Sequence, residues 1–131
     1  MTVPDSFFTP RPYVPSSLSE IYDTLGSMIL GAPTFIDRHG DFPDRNIDSE
    51  YSKLTQGFGL VRKKIGEERY SHLIDLAARS KDLFAADQDD TNGKTDQGLA
   101  ILQEIEDIIQ AARRGRIKAK LADEDGEVTG D

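Results

Sequence analysis

Residues 47–87 read IDSEYSKLTQGFGLVRKKIGEERYSHLIDLAARSKDLFAAD. Ile47, Tyr51, Leu54, Phe58, Val61 and Ile65 follow one another at steps of three and four, so they line one face of a helix turning every ~3.6 residues. After Gly66 a second stripe begins with Tyr70, Leu73, Ile74, Ala77 and Phe84, widened by Leu76 and Leu83. Between the stripes, Lys63-Lys64-Ile65-Gly66-Glu67-Glu68 combines a stop and a start. Cations in the last turn and anions in the first complement the two helix dipoles, and Gly66 can take the left-handed conformation that ends a helix. The stretch predicts two consecutive amphipathic helices. Gly57 and Gly59 lie inside the first, each costing about 1 kcal/mol relative to Ala. The apolar stripe stays in phase across them, so one helix is expected through Ile65. The glycines then mark the close approach of another backbone, with a kink as the alternative.

Upstream, Ser17-Leu18-Ser19-Glu20 is a capping box that opens a helix with the apolar face Leu18, Ile21, Tyr22, Leu25, Met28 and Ile29, ended by Gly31-Ala32-Pro33. The connection 34–46 is long for a helical domain, where about two to eight residues is usual. Its Phe35, Ile36 and Phe42 are expected to pin it to the bundle, and Asn46 is placed to cap the next helix. Before Ser17, Pro4, Pro10, Pro12 and Pro15 block helix and favour an extended arm. Phe7, Phe8 and Tyr13 predict that the arm lies across the helices and buries at least one ring. Pro12 and Pro15 satisfy PxxP, a spacing common by chance.

Downstream, the polar turn 87–94 leads to a fourth helix from Thr95 or Asp96 to about Arg114, with Leu99, Ile101, Leu102, Ile105, Ile108, Ile109 and Ala112. Its apolar surface is broader than one stripe, which fits a central position in the bundle or, as the alternative, a dimer interface. From Gly115 the chain turns to charge blocks, basic through Lys120 and acidic from Asp123. Too few apolar groups remain to offset chain entropy, so disorder is expected. The fold class is therefore all-α, a four-helix bundle-like domain over 17–114, with an extended Pro-rich arm at 1–16 and a disordered charged tail at 115–131.

Composition narrows the function classes. A chain of 131 residues is the size of one domain, and its net charge of -8 argues against nucleic-acid backbones and anionic membranes as partners. The chain has no cysteine, which excludes disulfides, thiolate nucleophiles and Cys-ligated zinc and favours the cytoplasm. No signal-peptide pattern and no membrane-length apolar run is present.

Site motifs are incomplete. Asp87-x-Asp89-x-Thr91 opens like an EF-hand loop, but Asn92 stands where the glycine is needed and Gly98 where the bidentate Glu is needed. Gly93-Lys94-Thr95 ends like a phosphate-binding loop, but Gln88 replaces its first glycine and the aspartates around it would repel phosphate. His72 shares a helical face with Glu68 and Asp75, which reads as a surface ion-paired histidine more readily than as a metal or acid–base centre, and His39 has no nucleophile pattern beside it. No catalytic residue, metal or cofactor is expected.

The remaining signal is distributed charge. Asp37, Asp41, Asp44, Asp48 and Glu50 flank one connection, and Asp87, Asp89 and Asp90, followed by Asp96, lie at another. An up-and-down bundle would put both at one end and sum their fields. These residues are the expected binding surface for a basic protein partner. The expected function is a small acidic, non-enzymatic binding module, in its most concrete form an immunity- or antitoxin-type inhibitor of a nuclease toxin. The alternatives are a homo-oligomeric scaffold through the fourth helix, for example a homodimer, and a small metal-binding or enzymatic bundle around His72.

Overall fold

The computed structural model describes residues 14–36 and 44–119. Phe7, Phe8, Tyr13, Asp37, His39, Asp41 and the segment from 120 onward lie outside the described residues. Helices α1 (Leu18–Gly31), α2 (Ile47–Leu60), α3 (Arg62–Ile65), α4 (Glu67–Ala85) and α5 (Lys94–Lys118) make up the domain, and no strand occurs among the described residues. No helix among them is long and apolar enough to cross a membrane.

Local chemistry explains the helix ends. The Ser17 hydroxyl accepts from the Glu20 amide at 3.1 Å, while Glu20 reaches back to the amide and hydroxyl of Ser16 at 2.8 and 3.1 Å. Asn46 caps α2 as expected: its side chain accepts from the Ser49 amide at 2.9 Å, and the Ser49 hydroxyl accepts from the Asn46 amide at 2.9 Å. Gly66, at φ 89, separates α3 from α4.

Two helix boundaries differ from expectation. The second helix is not continuous to Ile65: it breaks at Val61, whose amide is shared between the carbonyls of Gly57 and Phe58, both at 3.2 Å. Gly57 and Gly59 have weakened the preceding turn, yet Val61 and Ile65 remain in the core, so the apolar phase survives a local unwinding. Only Gly57 marks a close approach. A Cβ there would lie 2.9 Å from both the Cγ and the carbonyl oxygen of Pro15, whereas Gly59 faces open space. The buried Pro15 therefore packs against α2 at Gly57. The last helix, in turn, does not stop near Arg114 but continues to Lys118, with Arg116 buried. Arg116 and Lys118 in its final turn favour the C-terminal dipole end.

The helices close a ring. α1 packs on α2 and α5, and α4 packs on α2 and α5, so α5 holds a corner rather than the centre. Its broad apolar surface is met from two sides, burying Leu102, Ile105, Ile109 and Ala112 and partly covering Leu99, Ile101 and Ile108. Neighbours run antiparallel: Arg45, before α2, reaches Ser27 late in α1 at 3.2 Å, Tyr51 early in α2 meets Ser80 late in α4, and Gly98 early in α5 faces Phe84 late in α4. The expected core residues Leu54, Phe58, Leu73, Phe84, Leu102, Ile105 and Ile109 are all 0% exposed.

Candidate functional site

Phe35 is the peg that joins the two connections. It takes φ 59, a left-handed backbone that a bulky residue adopts only when its surroundings demand it. Its buried ring stands edge-on to Tyr51 at 5.8 Å and to Phe84 at 5.3 Å, the geometry that aromatic quadrupoles prefer. Gln88 adds a direct stitch, donating one amide group to the Pro33 carbonyl at 2.8 Å and to the Phe84 carbonyl at 2.9 Å. The α1–α2 and α4–α5 connections therefore share one end of the bundle.

The carboxylates at this end divide by role. Asp44, Asp89, Asp90 and Asp96 are exposed, as is Asp82, a contributor that sequence reasoning left out because it sits inside a helix. Asp48 is exposed and pairs with Lys81 at 2.8 Å.

Glu50 and Asp87 need correcting as binding residues, because both are spent inside the fold. Glu50 is 2% exposed, with Lys53 Nζ at 2.9 Å and Arg45 Nε at 3.3 Å from its Oε2. A buried carboxylate is stable only with such partners. It forms the floor of a polar groove of about 260 Å³ between α1 and α2, walled by Glu20, Asp23, Thr24 and Ser27. Asp87 is 3% exposed and organises the start of α5, which has no side-chain cap at Gly93. It accepts from the amides of Thr91, Asn92 and Thr95 at 2.8, 3.1 and 2.9 Å, and the Thr95 hydroxyl donates to its carbonyl at 3.1 Å. Burial pushes its carboxyl up. The amide bonds from Thr95, Thr91 and Asn92, with the Thr95 side chain, outweigh this and hold it below the usual carboxylate range.

This carboxylate thus faces its own turn. Among the described residues no group of His, Asp and Glu side chains could hold a metal ion. His72 is exposed on α4. Fold and site together define an all-α, up-and-down bundle with an acidic end. The chain matches no family model, no curated protein and no solved structure.

Proposed function

We propose that the protein is a binding module that captures a basic protein partner with the acidic end of its bundle, and more concretely an inhibitor of the immunity or antitoxin type that covers the cationic, phosphate-binding surface of a nuclease toxin. The observation that carries this reading is the joining of the two connections through Phe35 and the Gln88–Pro33 bond, which gathers Asp44, Asp48, Asp82, Asp89, Asp90 and Asp96 at one end. Carboxylates distributed over one end add their fields, steer a cationic surface into contact and raise its association rate. Phe35, Gln88 and Asp87 hold that end in shape before the partner arrives, so little ordering cost falls on binding.

The test is the association rate of a labelled octalysine peptide with the wild-type chain and with the Asp44→Asn/Asp48→Asn/Asp89→Asn/Asp90→Asn chain, across a salt series. The reading predicts slower association for the variant and a wild-type rate that falls with salt, because exposed charges are screened beyond about 8–10 Å near physiological ionic strength. Equal rates for the two chains would reject the acidic end as the binding surface.

A further inference from the structure

Two large apolar side chains stand exposed at the acidic end. Leu30, in the last turn of α1, is 88% exposed. Ile36 is expected from the sequence to pin its connection to the bundle, yet it is 58% exposed and Phe35 does the pinning. Single exposed apolar residues are ordinary on protein surfaces, so the placement of these two is what distinguishes them. The Phe35 amide donates to the Gly31 carbonyl at 2.8 Å, closing a turn flanked by Leu30 and Ile36. Each lies one Cα step of about 3.8 Å beyond a bonded residue, so the pair falls within roughly 15 Å. The left-handed backbone at Phe35 keeps its ring in the core while the next side chain emerges. Leu60 and Ile117, also exposed, share no such turn: they sit late in α2 and α5, which stand diagonally across the ring.

Carboxylates adjoin this turn on two sides. On one side, Asp23, Ser27 and Leu30 follow at steps of four and three and share an exposed face of α1. Arg45 donates to the Ser27 hydroxyl at 3.2 Å, which brings Asp44 beside that face. On the other side, Gln88 donates to the Pro33 carbonyl within the turn, which brings Asp89 and Asp90 alongside. Leu30 and Ile36 are the apolar element of an anionic surface.

We propose, building on the acidic-end reading above, that Leu30 and Ile36 anchor the partner, and that the partner is a cationic polypeptide carrying apolar side chains among its lysines and arginines. Charge complementarity selects this occupant. Carboxylates on both sides of the turn favour cations opposite them, and the two side chains need apolar cover between those cations. A second copy of this end would instead set carboxylates against carboxylates.

The two elements act at different ranges. Charges attract over about 8–10 Å and govern the association rate, whereas apolar burial acts only at contact and governs the dissociation rate. Covering the pair also displaces water from the flanking carboxylates, which strengthens their ion pairs. A purely charged polypeptide gains the first effect and not the second, so the surface discriminates among polycations.

The experiment compares two fluorescent peptides of equal charge, KKLKKLKK and KKSKKSKK, on full-length chains at low salt. The wild-type chain should hold the leucine peptide about tenfold more tightly than the serine peptide, the low end for covering one leucine, through slower dissociation at an equal association rate. Leu30→Ser/Ile36→Ser should erase that preference and leave the association rates and the helical melt by circular dichroism unchanged, since both positions are exposed. The Asp44→Asn/Asp48→Asn/Asp89→Asn/Asp90→Asn chain should bind both peptides more slowly. Equal affinity of the wild-type chain for the two peptides would overturn the proposal, as would a leucine preference that survives Leu30→Ser/Ile36→Ser. Sedimentation showing wild-type oligomers that Leu30→Ser/Ile36→Ser dissolves would overturn it too, by assigning the pair to a second copy. Unchanged association in the four-Asn chain, with a leucine preference that still needs Leu30 and Ile36, would reject the steering charges and uphold the apolar anchor. Binding of neither peptide would reject both.

Discussion

Gly98→Ala isolates the contact that sets the α4–α5 register. A Cβ at this position would lie 2.7, 2.8 and 3.0 Å from Cε1, Cζ and Cδ1 of Phe84. Carbon atoms settle at about 3.5–4.0 Å, so the ring would have to retreat by about 1 Å. It has no room to do so, being 0% exposed and backed by Phe35 at 5.3 Å. Overpacking of this kind costs about 1–3 kcal/mol, while replacing a helical glycine by alanine gains about 1 kcal/mol. The net expectation is a loss of about 0–2 kcal/mol.

Gly115→Ala, in the same helix with nothing within 4 Å, is the control and should gain up to about 1 kcal/mol. Urea unfolding followed by circular dichroism reads both, and the two midpoints should move apart by the equivalent of about 1–3 kcal/mol. In a Phe84→Leu background the Gly98→Ala penalty should shrink, giving a coupling energy of about 1 kcal/mol or more. If Gly98→Ala stabilises the protein as much as Gly115→Ala does, the packing argument fails.

Other consequences follow from the same packing. Leu102→Ala should cost about 2–5 kcal/mol in urea unfolding, because the side chain is fully buried on the α5 core face. The Ser80 hydroxyl donates to the Ala77 carbonyl at 3.0 Å, so the Tyr51 hydroxyl is the donor in their 2.6 Å bond. Tyr51→Phe should therefore cost about 1 kcal/mol, leaving Ser80 its other partner. The Asp87 carboxyl titrates below its unfolded value, so it contributes stability above about pH 4 that is lost as pH falls through its folded pKa. Asp87→Asn should lower the melting temperature at pH 7 and flatten its decline over that acidic window.

Periodicity and caps made the helices readable in advance. Ser17, Asn46 and Gly66 mark ends through bonds or dihedrals that involve near neighbours, and such signals are local in the sequence. The seven expected core residues follow from the same stripes. Gly57 and Gly59 left a kink open as the alternative, but the break at Val61 was not readable as such, because one residue of local unwinding leaves the apolar phase intact and both Val61 and Ile65 still face inward. Gly98 looked like a missing calcium ligand. Its actual role depends on Phe84, a helix away. The burial of Asp87 was hidden because its cap spans to Thr95, further than any short capping motif. Glu50 resembled a first-turn dipole partner until Arg45 and Lys53 closed over it. That the cations around Lys63-Lys64 and those at the end of α5 share one end could not be seen without topology, since they are far apart in sequence.

The most direct test of the central claim is a map of amide chemical-shift changes on the full chain titrated with octalysine. Acidic-end capture predicts changes concentrated at Asp44 to Asp48, Asp82 and Asp89 to Asp96, reversed by salt, with Arg62 to Arg69 and Arg113 to Lys118 unmoved. Changes spread evenly over the surface, or centred on the α1–α2 groove around Asp23, would contradict it.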